Sequence, residues 1–354
     1  MESTLRIHSA TLRDYCTRLF EAVGTPNEVA EVVAQILVNS DLKGHTSHGV
    51  SQIPTYTEPA RPGYIDAIEK ERLIPDGMPE LVRETASTAL VDGHVGWGHY
   101  AGRWCMDLAM EKARATGMGA VSLTRTHHIG RLGEFVEQAA GEGFIGMVTS
   151  GWGGEEPGDA APFGGAEGTL STNPIALGVP SADGKHFISD FATTMLSGAK
   201  IHLARVKGTE LPPGCIIDKH GQPSVNPGDF FDGGNMLVFG GYKGYAFSLL
   251  TCLIGGLAAV SPDSERMGGT FFQAIDISVF QPLDAYQQAV NDFLAGIRSI
   301  APAPGFSEVL VPGDPERQAE ERQSREGIEL PATVWTLILD HGKKYGVHEN
   351  ESTD

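Results

Sequence analysis

The sequence is poor in cysteine, and its four cysteines stand far apart. Cys16, Cys105, Cys215 and Cys252 form no CxxC pair anywhere in the 354 residues. Thiolate zinc sites usually bring cysteines together at such short spacings, so this distribution argues against one. Scattered thiols fit a reducing compartment, and we expect a cytoplasmic protein.

Basic residues are also scarce. The chain has 26 lysines and arginines against 45 aspartates and glutamates, which gives a net charge of -19. Such a negative field opposes binding to the phosphates of nucleic acid and to anionic membranes, so neither is expected as a partner. A local pocket can still oppose the global field, and an anionic small substrate therefore remains open.

A long uninterrupted apolar run is missing as well. The longest such stretch, 245–260, is short and contains Gly255 and Gly256, so we expect no membrane span there. A helix buried in the core or at a subunit interface fits it better. The N-terminus predicts an amphipathic helix and not a signal peptide, because Arg6 and Arg13 interrupt any apolar core.

What is present alternates between helical and strand patterns. Thr25 opens a helix-start signal, with threonine as N-cap, proline in the first turn and glutamate at position 28. The charged segment 317–327 is expected to be solvated. Further helices are predicted over 100–116, 284–297 and 332–342, and strands over 89–92, 120–124, 144–150, 175–180, 186–190 and 271–279.

The middle of the chain lacks the signature of a classical nucleotide-binding sheet. Its short strands are separated by glycine-rich turns and not by long helices, which disfavours a doubly wound parallel sheet. No GxGxxG follows a strand and opens a helix, so a Rossmann fold is not indicated.

The bend DLKGHTSHG at residues 41–49 is the most informative segment. It follows a predicted helix and places histidines, a serine and glycines in one turn. Histidine is the usual side chain for proton transfer near neutral pH, although a capped turn with a hydrogen-bonded histidine is an equally good explanation. Ser47 and His48 are neighbours in the chain, which rarely aligns two side chains as nucleophile and base.

A second histidine pair, His127 and His128, follows a predicted strand and precedes Gly130 and Arg131. Strand ends that face a glycine turn often contact ligands, but one histidine could equally pack in the core. Four histidines in two motifs make a metal conceivable. No HExxH or comparable ligand spacing occurs, so no metal is expected.

The segment Ser189–Thr194 places Asp190 at the end of a strand. Its carboxylate could cap the following segment or orient a histidine. Glycine-rich turns with backbone amides that could meet phosphate or carboxylate stand at 161–165, 172–174 and 239–245, the last with Lys243.

Taken together, these motifs resemble the type-2 malate/L-lactate dehydrogenase family, also called L-sulfolactate dehydrogenase-like, and within it the hydroxycarboxylate dehydrogenase branch. The resemblance spans nearly the whole chain. It is carried by DLKGHTSHG (41–49), THHIGRLG (126–133), APFGG (161–165), TNP (172–174), SDFATT (189–194), PPGCIIDKHGQP (212–223), GGYKGY (240–245) and VPGDPE (311–316).

The resemblance implies an α+β, non-Rossmann nicotinamide-binding fold with a mixed, largely antiparallel sheet and a helical lobe from both termini. It implies a helical lobe over 1–75 joined by 300–354, a middle or dimerisation region over 76–125 and 265–299, and a cofactor-binding domain over 126–264. It also implies a homodimer with the active site between domains.

The same resemblance implies roles for individual residues. His48 is the implied acid/base, Asp190 its orienting carboxylate, Ser47 a substrate contact and His128 a second histidine of the pocket. The implied cofactor is NAD or NADP. Asp314 and Glu316 would repel a 2′-phosphate if they lie at the adenosine ribose, which tips the choice slightly towards NAD. Its implied contacts are His48, Gly130, Arg131, Leu132, Ser189, Asp190, Phe191, Ala192, Tyr242, Asp314 and Glu316.

One departure bears on the substrate, a 2-oxo or 2-hydroxy acid. Many malate-type members carry an arginine a few residues after SHG, whereas this chain has Gln52, which brings no charge. A monocarboxylate is therefore expected over a dicarboxylate. Alternatives are a cyclic imino-acid (piperideine- or pyrroline-2-carboxylate) reductase on the same scaffold, a non-catalytic nucleotide-binding homologue, and a metal hydrolase.

Overall fold

The computed structural model describes residues 3–57, 73–154, 158–258 and 266–349. Parts of the three predicted regions, including 58–72 and 259–265, lie outside the described residues. The helices within them are α1 (Ser9–Ala22), α2 (Asn27–Leu42), α3 (Ile53–Thr57), α4 (Gly98–Thr116), α5 (Gly133–Gly141), α6 (Gly198–Lys207), α7 (Pro227–Phe231), α8 (Tyr242–Gly255), α9 (Leu283–Arg298), α10 (Asp314–Glu326) and α11 (Ala332–Lys344).

A seven-stranded sheet in the order β2-β3-β4-β11-β5-β6-β7 forms the centre of the fold. Only β3 and β4 pair in parallel, so the sheet is mixed and largely antiparallel, as expected. The strands are β1 (Thr4–Ile7), β2 (Glu80–Glu84), β3 (Thr88–Asp92), β4 (Met118–Thr124), β5 (Phe144–Gly154), β6 (Ile175–Val179), β7 (Phe187–Phe191), β8 (Ile216–Ile217), β9 (Pro223–Ser224), β10 (Asn235–Met236), β11 (Arg266–Asp276) and β12 (Ile328–Pro331).

Helices cover both faces of this sheet, and two glycines of β5 show how closely. A side chain at Gly146 would meet Val136 and Ala139 of α5, whereas one at Gly151 would meet the backbone of α8 at Thr251. Positions an odd number of residues apart point to opposite faces of a strand. Thus α5, with α4 beside it, packs on one face and α8 on the other.

A separate hydrophobic cluster joins the two ends of the chain. It unites buried residues of α1, α2 and α11, among them Leu19, Leu37 and Ile338. Strand β1 pairs antiparallel with β12, which ties the N-terminal segment to the C-terminal one. The division into three regions stays a prediction. No helix in the described ranges has the length and apolar character to cross a membrane.

The predicted N-cap of α2 was wrong. Helix α2 has Pro26 at its N-cap, without a side-chain capping bond, because the Thr25 hydroxyl accepts a hydrogen bond from Trp97 Nε1 at 2.9 Å instead. The segment 317–327, expected to be solvated, lies almost entirely on α10 and is mostly exposed or half-buried, as expected. Its charged face is exposed, but Gln323 is buried against the C-terminal end of α2.

Candidate active site

The bend after α2 brings Ser47 and His48 together. Residues Thr46–His48 form a 3₁₀ turn, and Ser47 Oγ lies 3.0 Å from His48 Nδ1. The tight turn folds the serine back onto the ring, so these two chain neighbours contact each other through their side chains. Ser47 fixes the orientation of the imidazole and leaves Nε2 without a protein partner among the described residues.

His128 lies beside His48. It belongs to the loop between β4 and α5, and the two rings stack with centroids 5.7 Å apart and planes inclined by 20°. Tyr56 of α3 holds the second ring through a 2.7 Å contact between its hydroxyl and His128 Nδ1. His48 and His128 are each partly buried and partly exposed as residues, which leaves the pair within reach of a ligand.

Two further rings, His99 and His127, complete this histidine cluster, and of these only His99 was not predicted from the sequence. The ring centroid of Tyr56 lies 5.5 Å from that of His99 and 5.6 Å from that of His127. His99 is fully buried in the first turn of α4, and neither of its ring nitrogens has a partner within the described part of the chain. A lone histidine in a helix has no pattern that marks it, so only the fold reveals it.

Burial keeps these histidines neutral. It lowers the pKa of His48 to about 4, with the neighbouring His45 and Arg131 acting in the same direction. It lowers the pKa of His99 to about 3 and that of His127 to about 4. Within the described ranges, no group of three or more histidine, cysteine, aspartate or glutamate side chains could hold a metal ion.

Asp190 does not pair with His48 in the described structure, which corrects the expected contact. Its Oδ2 accepts a 2.7 Å hydrogen bond from the Gly133 backbone at the start of α5. Burial raises the pKa of Asp190, which Arg131 and the Gly133 amide oppose. The carboxylate therefore joins β7 to α5, and His48 receives no charge from it that would favour imidazolium.

Arg131 also faces the protein interior. Its side chain is 2% exposed, and its Nη2 lies 2.8 Å from Glu137 and 3.7 Å from Glu134. Leu132 is buried at the N-cap of α5, and Gly130, at a φ of 76°, lies against His99. At Arg131 and Leu132 the side chains are buried, so the expected cofactor contacts of these residues would have to come from their backbone.

Other predicted cofactor residues do lie on an open surface. Phe191, at the end of β7, is 39% exposed and meets Phe239 edge to face at 5.7 Å. Tyr242 begins α8 and is 64% exposed, directly after the glycine bend 240–241. Ser189 is partly buried on β7, and Ala192 is partly buried just beyond it.

The two acidic residues of VPGDPE differ in availability. Asp314 is buried between Arg298 and Arg317, and although burial opposes ionisation, the hydrogen bonds from Arg298, the Val311 amide and Arg317 hold its pKa far below the usual range. Asp314 is thus committed to the protein, which corrects its assignment to the ribose. Glu316 lies 3.2 Å from His45 Nε2, and this contact lowers the pKa of Glu316.

Comparison with known proteins shows the family to which the chain belongs. The sequence matches the malate/L-lactate dehydrogenase family over residues 7–339. It is 32% identical to L-sulfolactate dehydrogenase of Methanothermobacter thermautotrophicus over 93% of this chain and 94% of that protein. It is 30% identical to hydroxycarboxylate dehydrogenase B of Escherichia coli K12 over 99% of this chain and 97% of that protein.

A solved structure shows the same fold. The Δ1-piperideine-2-carboxylate reductase of Pseudomonas syringae superposes with a TM-score of 0.81 at 25% identity, covering 95% of this chain and 99% of that one. The family match covers nearly the full sequence, and the superposition extends over nearly the whole chain. The chain therefore belongs to the malate/L-lactate dehydrogenase family and is a pyridine-nucleotide-dependent oxidoreductase.

Proposed function

We propose that the protein interconverts a 2-hydroxycarboxylate and a 2-oxocarboxylate, with His48 as the acid/base. The observation that carries this proposal is the partly exposed, stacked pair of His48 and His128, in which Ser47 binds one nitrogen of His48 and leaves the other open. A positioned imidazole with one open nitrogen suits the transfer of a single proton to or from an alcohol oxygen.

The chain offers a surface that fits a nicotinamide nucleotide. Helix α8 presents its N-terminal amides after Gly240 and Gly241, both at positive φ, and a side chain at Gly240 would meet open space. Helix N-termini favour phosphate, and exposed aromatic rings such as Phe191 and Tyr242 suit stacking on heterocycles. The nucleotide supplies the hydride chemistry when bound.

The residues of the chain account for the proton. In alcohol oxidation, neutral His48 accepts the hydroxyl proton at Nε2 as the carbon loses hydride. Its lowered pKa makes the neutral form dominant at pH 7, so the base is ready without prior deprotonation. In reduction the protonated ring returns that proton to the carbonyl oxygen, and this direction should weaken as pH rises.

His48→Ala tests the assignment. Loss of a positioned proton carrier should lower kcat by roughly two to four orders of magnitude, while nucleotide affinity changes little. His94→Ala is the matched control, because His94 lies outside the cluster and pairs with Glu80. Turnover of His48→Ala within about threefold of the wild type would reject the role.

We infer that the substrate is a monocarboxylate 2-oxo acid. Gln52 ends the 3₁₀ turn Val50–Gln52 directly after the His48 bend, where a guanidinium would bind a second carboxylate. The second carboxylate of a dicarboxylate would lose its hydration in the site, and without a charged partner this loss would weaken binding. Pyruvate or a bulkier monocarboxylate should therefore surpass oxaloacetate in kcat/KM.

Gln52→Arg should shift the ratio of kcat/KM for oxaloacetate over pyruvate by about tenfold or more. Gln52→Met, similar in length but uncharged, is the control and should not favour oxaloacetate. A strong wild-type preference for oxaloacetate would show that another cation binds the second carboxylate.

NAD is the proposed nucleotide. Glu316 lies in the first turn of α10, and its contact with His45 lowers its pKa and so favours the anion. An anion near the ribose repels the additional phosphate of NADP. Glu316→Gln should then improve kcat/KM with NADPH more than with NADH. Equal effects on both nucleotides would place Glu316 away from the ribose.

Cyclic imine reduction is the second candidate, favoured by the structural likeness to a piperideine-2-carboxylate reductase. The discriminating measurement is a panel of pyruvate, phenylpyruvate and piperideine-2-carboxylate with both nucleotides. A kcat/KM for the imine at least tenfold above that for every 2-oxo acid would favour this alternative.

A homodimer is also proposed. Its support is an apolar stripe on α8, on the face turned away from the sheet, formed by Phe247, Leu250, Leu253 and the following Leu257. Exposed apolar patches of this kind usually mark interfaces between proteins.

A further inference from the structure

Asp41 is a buried carboxylate that the proposed chemistry does not use. It lies in the last turn of α2 with no solvent exposure. Its Oδ2 accepts a 2.8 Å hydrogen bond from the Val50 backbone, and its Oδ1 has no partner among the residues that the structure describes. Burial raises its pKa to about 7, which the Val50 bond only partly offsets.

The Asp41–Val50 bond closes the loop that carries His48. Between these two residues the chain makes a turn in which the His48 amide bonds His45 O at 2.9 Å and the Gly49 amide bonds Thr46 O at 3.3 Å. The Asp41 carboxylate is therefore the point at which the segment leaving His48 is attached to α2.

The Asp41–Val50 hydrogen bond also explains why residue 49 is a glycine. Its φ of -96° is open to any residue, so the backbone does not require glycine. A Cβ at this position would instead overlap all three carboxyl atoms of Asp41. The glycine next to His48 thus provides the space that lets the carboxylate reach the Val50 amide.

Burying the Asp41 carboxyl group costs desolvation free energy, so we expect a role that offsets this cost. An apolar side chain of similar volume would fill the space without the desolvation of an acid. What it could not do is accept the Val50 hydrogen bond. Cys16 of α1 is the titratable group that faces Asp41 from a neighbouring helix, and no cation pairs with the Asp41 carboxylate among the described residues.

We propose that Asp41 is a positioning residue that sets the place of the His48 ring opposite His128. This inference rests on the proposed function, because it assigns the residue that aligns the proposed acid/base. A displacement of about 1 Å in a reacting group can cost about a hundredfold in rate, so a lost anchor should be visible in turnover.

The experiment compares Asp41→Ala, Asp41→Asn and Gly49→Ala. Asparagine keeps an oxygen acceptor for the Val50 amide, so kcat should stay within about threefold of the wild type. Asp41→Ala and Gly49→Ala should each lower kcat by roughly 10- to 100-fold, with the Kd for NADH changed less than threefold. Ser40→Ala is the matched control, because it removes a buried hydrogen bond to Ile36 O in the same turn of α2 without touching the loop.

A second readout separates this inference from the role of His48. Modification of each histidine by diethyl pyrocarbonate is followed by mass spectrometry, with His94 as internal reference. In Asp41→Ala and Gly49→Ala, His48 should react at least threefold faster relative to His94, and in Asp41→Asn it should react at the wild-type rate. Should Asp41→Ala fail to fold, Gly49→Ala carries the comparison.

An unchanged His48 reactivity in the folded alanine variants would overturn the positioning role, as would equal losses of kcat in Asp41→Asn and Asp41→Ala. Faster modification of His48 with unchanged turnover would support the positioning by Asp41 and reject His48 as the acid/base.

Discussion

At the residue scale, the site depends on histidines that burial keeps neutral. The pKa of His99 falls to about 3 and that of His48 to about 4, whereas histidine side chains in the unfolded chain have a pKa of about 6.5. Between these values the unfolded state binds more protons than the native state. The free energy of unfolding should therefore fall as pH drops from about 6.5 towards 4.

Replacing His99 should remove part of this dependence. His99→Leu deletes two buried nitrogens that have no partner in the described residues, so the loss of unfolding free energy between pH 7 and pH 5 should shrink by about 1–2 kcal/mol. Urea unfolding of both proteins at the two pH values measures it. His94→Leu supplies the control, because it removes a histidine that lies outside the cluster and pairs with Glu80. Equal slopes in His99→Leu and the wild type would contradict the assignment.

Residue type and spacing predicted part of the site. The SHG bend and the strand-end histidines drew attention to Ser47, His48 and His128, and the structure brings these three together. The sequence could not predict which residues pair with the buried charges. Asp314 is taken by Arg298 and Arg131 by Glu137, because the fold decides which opposite charges meet in a dry interior.

At the scale of elements, local patterns predicted the regular ones well. Helix α4 ends at Gly117, whose φ of 87° fits the left-handed C-cap that glycine favours. Strands β3 to β7 lie within a few residues of their predicted ranges. Helix α10 was missed because its sequence is charged and only a few positions, such as Gln323, are buried. A helix with so narrow a buried stripe has no clear apolar period.

Gln323 makes α10 a cap for α2. Its Nε2 donates to the carbonyls of Asp41 and Leu42 at 2.7 and 2.9 Å, and its Oε1 accepts from the Glu329 amide at 3.0 Å. Gln323→Ala should lower the free energy of unfolding by about 1–3 kcal/mol, because buried polar groups lose their partners.

Chemical denaturation of both proteins measures this loss. Gln318 of the same helix is exposed and bonds Glu308, so Gln318→Ala is the control and should change stability by less than about 0.5 kcal/mol. Equal stabilities for the two variants would show that the cap contributes nothing. The carbonyls involved end α2 where the His48 bend begins, so stability and turnover should decline together in Gln323→Ala.

At the scale of the whole molecule, α8 presents two different faces. Gly244, Ser248, Thr251 and Gly255 are buried towards the sheet, where small residues let the helix approach β5 and β11. The opposite face is apolar and open, with Leu253 61% exposed. Sequence alone predicted a core helix or an interface for this segment. Only the fold shows that one helix serves the core and leaves a second apolar face.

The final prediction tests whether that open face joins two copies. Leu253→Glu places a carboxylate in the middle of the stripe, and burying it against a second copy would cost several kcal/mol without a partner cation. Sedimentation velocity should then show a dimer for the wild type and a monomer for the variant. Leu203→Glu is the matched control, since Leu203 is 50% exposed on α6, and it should stay dimeric. With a net charge of -19 on each copy, added salt should tighten the wild-type dimer by screening repulsion. A wild-type monomer at micromolar concentration, or a dimer that survives Leu253→Glu, would mean that α8 is not the interface.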